Sequence, residues 1–227
     1  MNFHFILLAG GSGLRAGGEL PKQFQLRNGR SMFSWSLQTY LSWPQSAGVV
    51  IVSHRDHLER CQQTLNELVD SQKRRSFPVQ VVVGGNTRQE SSLAGIKATQ
   101  LFCQADDILF IHDAARPFLE EEELTAMARV FTAEPECQVA SLVAPVSETI
   151  VRGSGLPGEL MECLPRSELF AVKTPQGVRV SALSALLAAE PVAEHTDLLN
   201  WGAVAGLAAR LIPAASSNRK VTLPGEW

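Results

Sequence analysis

The residues best suited to chemistry lie in a glycine-dense loop near the N-terminus. An apolar run, Phe3 to Ala9, ends abruptly at Gly10, Gly11, Gly13, Gly17 and Gly18, and two cations, Arg15 and Lys22, stand in or just after that loop. Glycines let the backbone turn tightly and lie against a ligand with N–H groups pointing at it. Free N–H groups together with Arg and Lys suit a polyphosphate. The plainer reading is an ordinary strand–loop–helix connection. Two rival phosphate loops fail. Gly11-Ser12-Gly13-Leu14-Arg15-Ala16 fits the dinucleotide pattern, but that pattern needs an acidic residue about 20 positions on to hold a ribose. No Asp or Glu stands between Glu19 and Asp56. The Walker A pattern ends in Gly-Lys-Ser/Thr, whereas Lys22 follows Pro21.

Further polar clusters follow later apolar runs. They are Gly85, Asn86, Arg88 and Ser91; His112-Asp113-Ala114-Ala115-Arg116-Pro117; Pro145 to Thr149; and Asn218-Arg219-Lys220. In the second of these, two small residues permit close approach of a ligand, Asp113 can accept hydrogen bonds from hydroxyls, and Arg116 can brace a phosphate or pair with Asp113. His112 reads equally as a packed rim histidine or a functional one. In an open parallel sheet ligands bind beyond the carboxyl ends of strands, so repeated polar clusters at such positions argue for one site.

The elements that must position these residues alternate. Apolar or β-branched runs predict strands at Phe3–Ala9, Val49–Ser53, Val79–Val83, Ile108–Ile111, Val139–Val143 and Ala208–Ile212. Helical spacing predicts helices from a Ser31 cap to about Ser42 (through Met32, Trp35, Ser36 and Tyr40), over Asp56–Val69, Gln89–Phe102 (Leu93, Ile96 and Lys97 in phase), Glu120–Phe131, Val180–Ala189 and Asp197–Ala205, the last with Thr196 as candidate N-cap. Four glutamates, Glu120 to Glu123, suit the positive end of a helix dipole. The alternation predicts an α/β fold with a mostly parallel sheet and helices on both faces. From Ala144 to Lys173, Pro and Gly break any long helix, which suggests an excursion such as a β-hairpin arm, with the core resuming at Pro175.

Composition narrows the classes. The chain of 227 residues is 45% hydrophobic and 19% charged with a net charge of −3, an ordinary globular balance without the basic excess of a nucleic-acid surface. Cys61, Cys103, Cys137 and Cys163 are far apart and show no metal spacing, so reduced thiols in a cytoplasmic protein are expected. The apolar N-terminal run is too short for a signal peptide or a membrane span.

Taken together, Ala9-Gly-Gly-Ser-Gly-Leu-Arg15, Pro21-Lys-Gln-Phe24, Gly84-Gly-Asn-Thr-Arg-Gln-Glu-Ser-Ser92, His112 to Pro117, Pro145-Val-Ser-Glu-Thr-Ile150, Thr174-Pro-Gln176, Thr196-Asp197 and Asn218-Arg-Lys-Val-Thr222 resemble the 2-C-methyl-D-erythritol 4-phosphate cytidylyltransferase family, in the family's order and over nearly the whole chain. Ribitol-5-phosphate cytidylyltransferases are close relatives and stay open as an alternative, as does a weakly active nucleotide-binding homologue. The resemblance implies a single Rossmann-like nucleotidyltransferase domain over residues 1–227, with a protruding dimerisation arm at about 145–173. It implies that Arg15, Lys22 and Lys220 are catalytic cations. It places Ala9, Gly10, Gly11, Gly13, Gly85, Asn86 and Ser91 around the nucleotide. Asp113, Arg116, Thr149, Arg166 and Thr196 fall around the sugar phosphate, Thr149 and Arg166 reaching the other subunit's site. The implied partners are CTP, a polyol phosphate and a second copy of the chain, with Mg²⁺ held mainly by the CTP phosphates and without dedicated protein ligands; nucleic acid and membrane are not expected.

Overall fold

A computed structural model describes residues 1–11, 20–71, 77–189 and 197–222. Its strands and helices, in chain order, are β1 (Phe3–Leu8), β2 (Leu26–Arg27), β3 (Arg30–Ser31), α1 (Met32–Ser42), β4 (Ser46–Ser53), α2 (Leu58–Ser71), β5 (Val79–Val83), α3 (Arg88–Thr99), β6 (Ile108–Asp113), α4 (Glu121–Ala133), β7 (Val139–Pro145), β8 (Val151–Gly153), β9 (Leu160–Cys163), β10 (Phe170–Arg179), α5 (Leu183–Ala188), α6 (Leu198–Val204) and β11 (Ala209–Pro213). Seven strands make one sheet in the order β11-β7-β10-β6-β1-β4-β5. All neighbours are parallel except β10, which runs antiparallel to both β6 and β7.

Alternation along the strands assigns the two faces. On β1, Phe3, Phe5 and Leu7 pack with Phe33, Leu37 and Tyr40 of α1, Cys61 and Leu65 of α2, and Leu124, Met127 and Phe131 of α4. Ile6 points the other way, toward Ile96 of α3, Leu183 and Leu186 of α5, and Leu198 and Trp201 of α6. At β1 and β6 in the middle of the sheet both faces are therefore dry, as buried parallel strands require. Phe5 stacks on Tyr40 at 4.2 Å between ring centroids and meets the Trp43 edge at 5.8 Å. On the other face α3 lies flush on β1: a Cβ at Gly95 would come 2.3 Å from Ile6 Cγ2.

Three local expectations are corrected. Leu93 and Trp35 face outward; α3 buries Ser91, Ser92, Gly95, Ile96 and Thr99 instead, and Trp35 lies under the Arg30 guanidinium at 4.5 Å. The N-cap of α6 is Asp197, whose carboxylate accepts from Asn200 N at 2.9 Å; Thr196 lies outside the described residues. The core resumes at Phe170, upstream of Pro175, because β10 is a ten-residue strand between β6 and β7. Its pairing to β7 lapses between Val172 and Gln176. Pro175, which has no N–H to give, sits in that gap. Ahead of it, β8 and β9 pair as a short hairpin within the stretch read as an arm. The β2–β3 hairpin, which the sequence pattern does not announce, turns through Asn28 and Gly29 at φ 52 and 76, the left-handed conformation such a turn favours.

Candidate active site

The carboxyl ends of β1, β4, β5 and β6 share one rim. Leu8 is in register with Asp113, Ala9 N donates to Val52 O, and Gly84 N donates to Ser53 O. Ala9, Gly10, Gly85 and Ser91 meet there. A Cβ on Gly10 would lie 3.6 Å from His54 N and 3.8 Å from Ser91 Oγ. The Ser91 hydroxyl donates to Gly85 O at 3.4 Å. A Cβ on Gly85 would come 2.2 Å from Glu90 Cβ, so the chain passes close over the start of α3 only because that side chain is missing. Thr87 caps α3 and Glu90 reciprocates in a capping box; its Oε2 also accepts from Asn86 N at 2.6 Å. The main chain at Gly85–Asn86 is thus held as a shelf on the helix. On the opposite lip Gln23 Nε2 donates to Ala9 O and Gly11 O, 2.8 Å each, and pins the start of the glycine loop. Gly13 and Arg15 lie outside the described residues.

At the centre stands Asp113, the last residue of β6. Arg88 Nε donates to its Oδ1 and Lys220 Nζ to its Oδ2, both at 3.0 Å. Burial alone would raise this carboxyl's pKa, but the Arg88 and Lys220 charges outweigh it and hold the group well below the usual carboxylate range. Of the two readings left open for Arg116, the ion pair with Asp113 is not the one formed: among the described residues the ion pairs of Asp113 are with Arg88 and Lys220, although the Asp113 charge still acts on the Arg116 guanidinium. Arg116 Nε is buried with no hydrogen-bond partner among the described residues.

The loop after Asp113 is anchored from beneath. His112 is fully buried; its Nε2 is 3.0 Å from Arg116 O and its Nδ1 3.0 Å from Thr174 Oγ1. Asp113 N donates to that same hydroxyl at 3.2 Å, so the hydroxyl proton goes to Nδ1 and Nε2–H donates to Arg116 O. Burial pushes the imidazole pKa down from 6.5 to about 4, against the opposing pull of Asp113. The packed-rim reading of His112 is the one its geometry fits. Lys22 Nζ donates to Val221 O at 2.7 Å and Val221 N to Ala115 O at 2.8 Å, which brings Lys22, Lys220 and the Asp113 loop together.

Thr149 and Arg166 are not drawn into this cluster. Both are exposed, and Arg166 Nη1 donates to Ser147 O at 3.0 Å beside an open groove of about 690 Å³. Four contributors carry no role assigned from sequence. Arg88 and Gln23 stand inside the recognised motifs. Thr174 is the first residue of Thr-Pro-Gln, and Lys173, whose Nζ donates to Asn218 O at 2.6 Å, is an isolated cation before it. The signal for Arg88 was present, a cation at the entry of a helix behind two glycines; its partner, 25 residues on, was not readable.

A model of the family described as "IspD: 2-C-methyl-D-erythritol 4-phosphate cytidylyltransferase" matches residues 3–227. The chain belongs to that family. The 2-C-methyl-D-erythritol 4-phosphate cytidylyltransferase of Leptospira borgpetersenii serovar Hardjo-bovis strain JB197 is 32% identical over 96% of this chain and 88% of its own length. The Leptospira interrogans protein of the same name (serovar copenhageni) is 30% identical over 96% and 87%. Among solved structures, the 4-diphosphocytidyl-2C-methyl-D-erythritol synthase of Anaerococcus prevotii superposes with a TM-score of 0.76 at 18% identity, over 99% of this chain and 92% of that one. The Francisella tularensis cytidylyltransferase gives 0.74 at 21%, over 98% and 94%. These likenesses show the fold of the family's structures, an α/β fold with a mostly parallel sheet. The family match spans every motif from Ala9 to Thr222 that carries the resemblance. Among the described residues no helix is long and apolar enough to cross a membrane.

Proposed function

We propose that this chain joins CTP to 2-C-methyl-D-erythritol 4-phosphate, giving the CDP-alditol and pyrophosphate, in isoprenoid biosynthesis. The observation that carries the reading is the convergence of Arg88, Lys220 and Lys22 on the Asp113 loop at one rim of the sheet, in a chain of this family. Net positive charge beside a glycine-lined shelf suits a triphosphate, and a carboxylate held ionised suits the hydroxyls of a polyol.

In this reading a phosphate oxygen of the polyol phosphate attacks the α-phosphorus of CTP in line, the bond to the β-phosphate oxygen breaks, and pyrophosphate leaves. The attacking phosphate is already nucleophilic, so the protein's task is orientation and neutralisation of charge. Arg15, Lys22 and Lys220 neutralise charge on the phosphates. Ala9, Gly10, Gly11, Gly13, Gly85, Asn86 and Ser91 line the nucleotide, and Asp113, Arg116 and Thr196 hold the sugar phosphate. Among the described residues no group of three or more His, Cys, Asp or Glu is placed to hold a metal ion, and Asp113 is already engaged by two cations. In this reading Mg²⁺ is brought in by the CTP, whose phosphate oxygens would hold it. When bound, the ion would neutralise part of the triphosphate charge.

The reading extends to a cytoplasmic homodimer in which the stretch between β7 and β10 brings Thr149 and Arg166 to the partner's site. Its support is the exposed apolar side chains on that stretch, with Val151 at 52%, Leu156 at 102%, Leu160 at 65% and Met161 at 65% exposure, which a partner subunit would cover. Pyrophosphate release from CTP and Mg²⁺ tests the activity, with 2-C-methyl-D-erythritol 4-phosphate and ribitol 5-phosphate assayed side by side. Product from the first alone is expected; product from ribitol 5-phosphate alone, or CTP binding without turnover of either, overturns the assignment.

A further inference from the structure

The run Glu120 to Glu123 is more than compensation of a helix dipole. Glu121 and Glu122 are exposed and serve that purpose, whereas Glu123 is 5% exposed. A carboxylate is costly to bury unless its oxygens are met by donors. Here Oε1 accepts from Ala215 N at 2.9 Å and Asn218 Nδ2 at 3.1 Å, and Oε2 from Glu120 N at 3.0 Å. Two of the three donors belong to the irregular segment that follows β11. That segment is otherwise held at its ends and by two lysines: Ala214 N reaches Val143 O, Val221 N reaches Ala115 O, Lys173 Nζ and Lys22 Nζ donate to the Asn218 and Val221 carbonyls, and the turn itself closes locally. Glu120 Oε1 adds a bond from the Ser217 hydroxyl. Asn218 is fully buried, and its amide also donates to Thr174 O at 3.0 Å. Two residues after this buried pivot, Lys220 reaches Asp113.

We propose that Glu123 is a positioning residue for Lys220, acting through Asn218 to fix the segment that carries the lysine to the phosphates. The proposal rests on the cytidylyltransferase reading of the site. The link is rigid at each joint: a helix end, a buried amide, and a lysine whose head has one carboxylate to meet. Without the Glu123 oxygens, Ala215 N loses its acceptor and the Asn218 side-chain amide keeps only the Thr174 carbonyl; the Lys173 and Lys22 bonds to the main chain remain, but the turn has lost its hold on α4 and the lysine's stem is free to shift by about 1 Å. A misplacement of that order at a charged group costs turnover rather than nucleotide affinity.

The test is a double-mutant cycle read by pyrophosphate release from CTP and 2-C-methyl-D-erythritol 4-phosphate. Lys220→Ala is expected to lower kcat about 100-fold. Glu123→Ala is expected to lower kcat about tenfold with the KM for CTP within about twofold of wild type. Glu123→Gln, which keeps an acceptor for both donors, is expected to recover most of that loss. In the Lys220→Ala background, Glu123→Ala is expected to cause no further fall. An equal fall in both backgrounds overturns the proposal, because Glu123 then acts on the protein generally and not through the lysine. Full turnover in Lys220→Ala overturns the reading of the site itself. Should Glu123→Ala fail to fold, Asn218→Ala breaks the same link from its other end. The cycle is then run with Asn218→Ala, where no further fall beside Lys220→Ala supports the proposal and an equal fall in both backgrounds overturns it.

Discussion

Acidification provides a clean perturbation of the buried imidazole. His112 holds its ring between a donated Thr174 hydroxyl and the Arg116 carbonyl, so a second proton on Nδ1 would face a group that is already donating. The unfolded chain takes up that proton near 6.5, the folded one at about 4. Between those values the unfolded state binds more protons, so stability falls as pH drops through this window and is restored above it. The difference integrates to about 2 kcal/mol at pH 5 and about 3 kcal/mol below pH 4. Asp113 does not confuse the window: its pKa is lowered, so its contribution is intact above the ordinary carboxylate range and is lost only below it. The assay is urea unfolding followed by tryptophan fluorescence, at pH 7.5 and pH 5, for the wild type and His112→Asn, which keeps an acceptor for Thr174 but cannot titrate. All other groups cancel in the comparison. The wild type should lose about 2 kcal/mol more than the variant on acidification. Equal losses would refute the assignment of a neutral, doubly bonded imidazole.

Asp113→Asn should lower kcat/KM for the polyol phosphate by about 100-fold while leaving the KM for CTP within about twofold, in the same pyrophosphate-release assay, since one neutral oxygen replaces the charge that Arg88 and Lys220 surround. Gly95→Ala should destabilise the fold by about 1–3 kcal/mol in denaturant titration, because the new methyl group meets Ile6 Cγ2 and α3 must lift from β1.

The sheet was legible where a strand is a continuous apolar run between turn residues, as at Phe3–Leu8 and Ile108–Ile111, since burial on both faces demands that composition. It was not legible at β10. The stretch through Lys173 reads as an excursion and Pro175 as the restart of the core, and a proline argues against a central strand; the strand runs through both because its pairing to β7 lapses between Val172 and Gln176. Trp35 and Leu93 misled for the converse reason. Their spacing is helical, but α3 buries small residues that let it lie close to β1, and the Arg30 guanidinium covers Trp35. At the site, the residue types were readable and the partnerships were not. Asp113 and Arg116 are neighbours in sequence, yet Asp113 pairs with Arg88 and Lys220, which only the strand order brings to it. Glu123 was visible as part of a charged run, but its burial depends on where the chain after β11 returns.

The lapse in β10 makes one length of chain both a plank of the sheet and a wall of the cleft. From Gln176 onward the strand is locked into β6 and β7; just before it, the Thr174 carbonyl and hydroxyl, released from sheet duty, turn to Asn218, His112 and Asp113. Any Cβ at Gly177 would run into the rings of Phe131 and Phe110. Bulk added deep in the interior at that point would therefore be felt upstream at Thr174, and through it by the carboxylate and the lysine together. Packing at Gly177 and the aim of the charged groups thus share three residues of main chain.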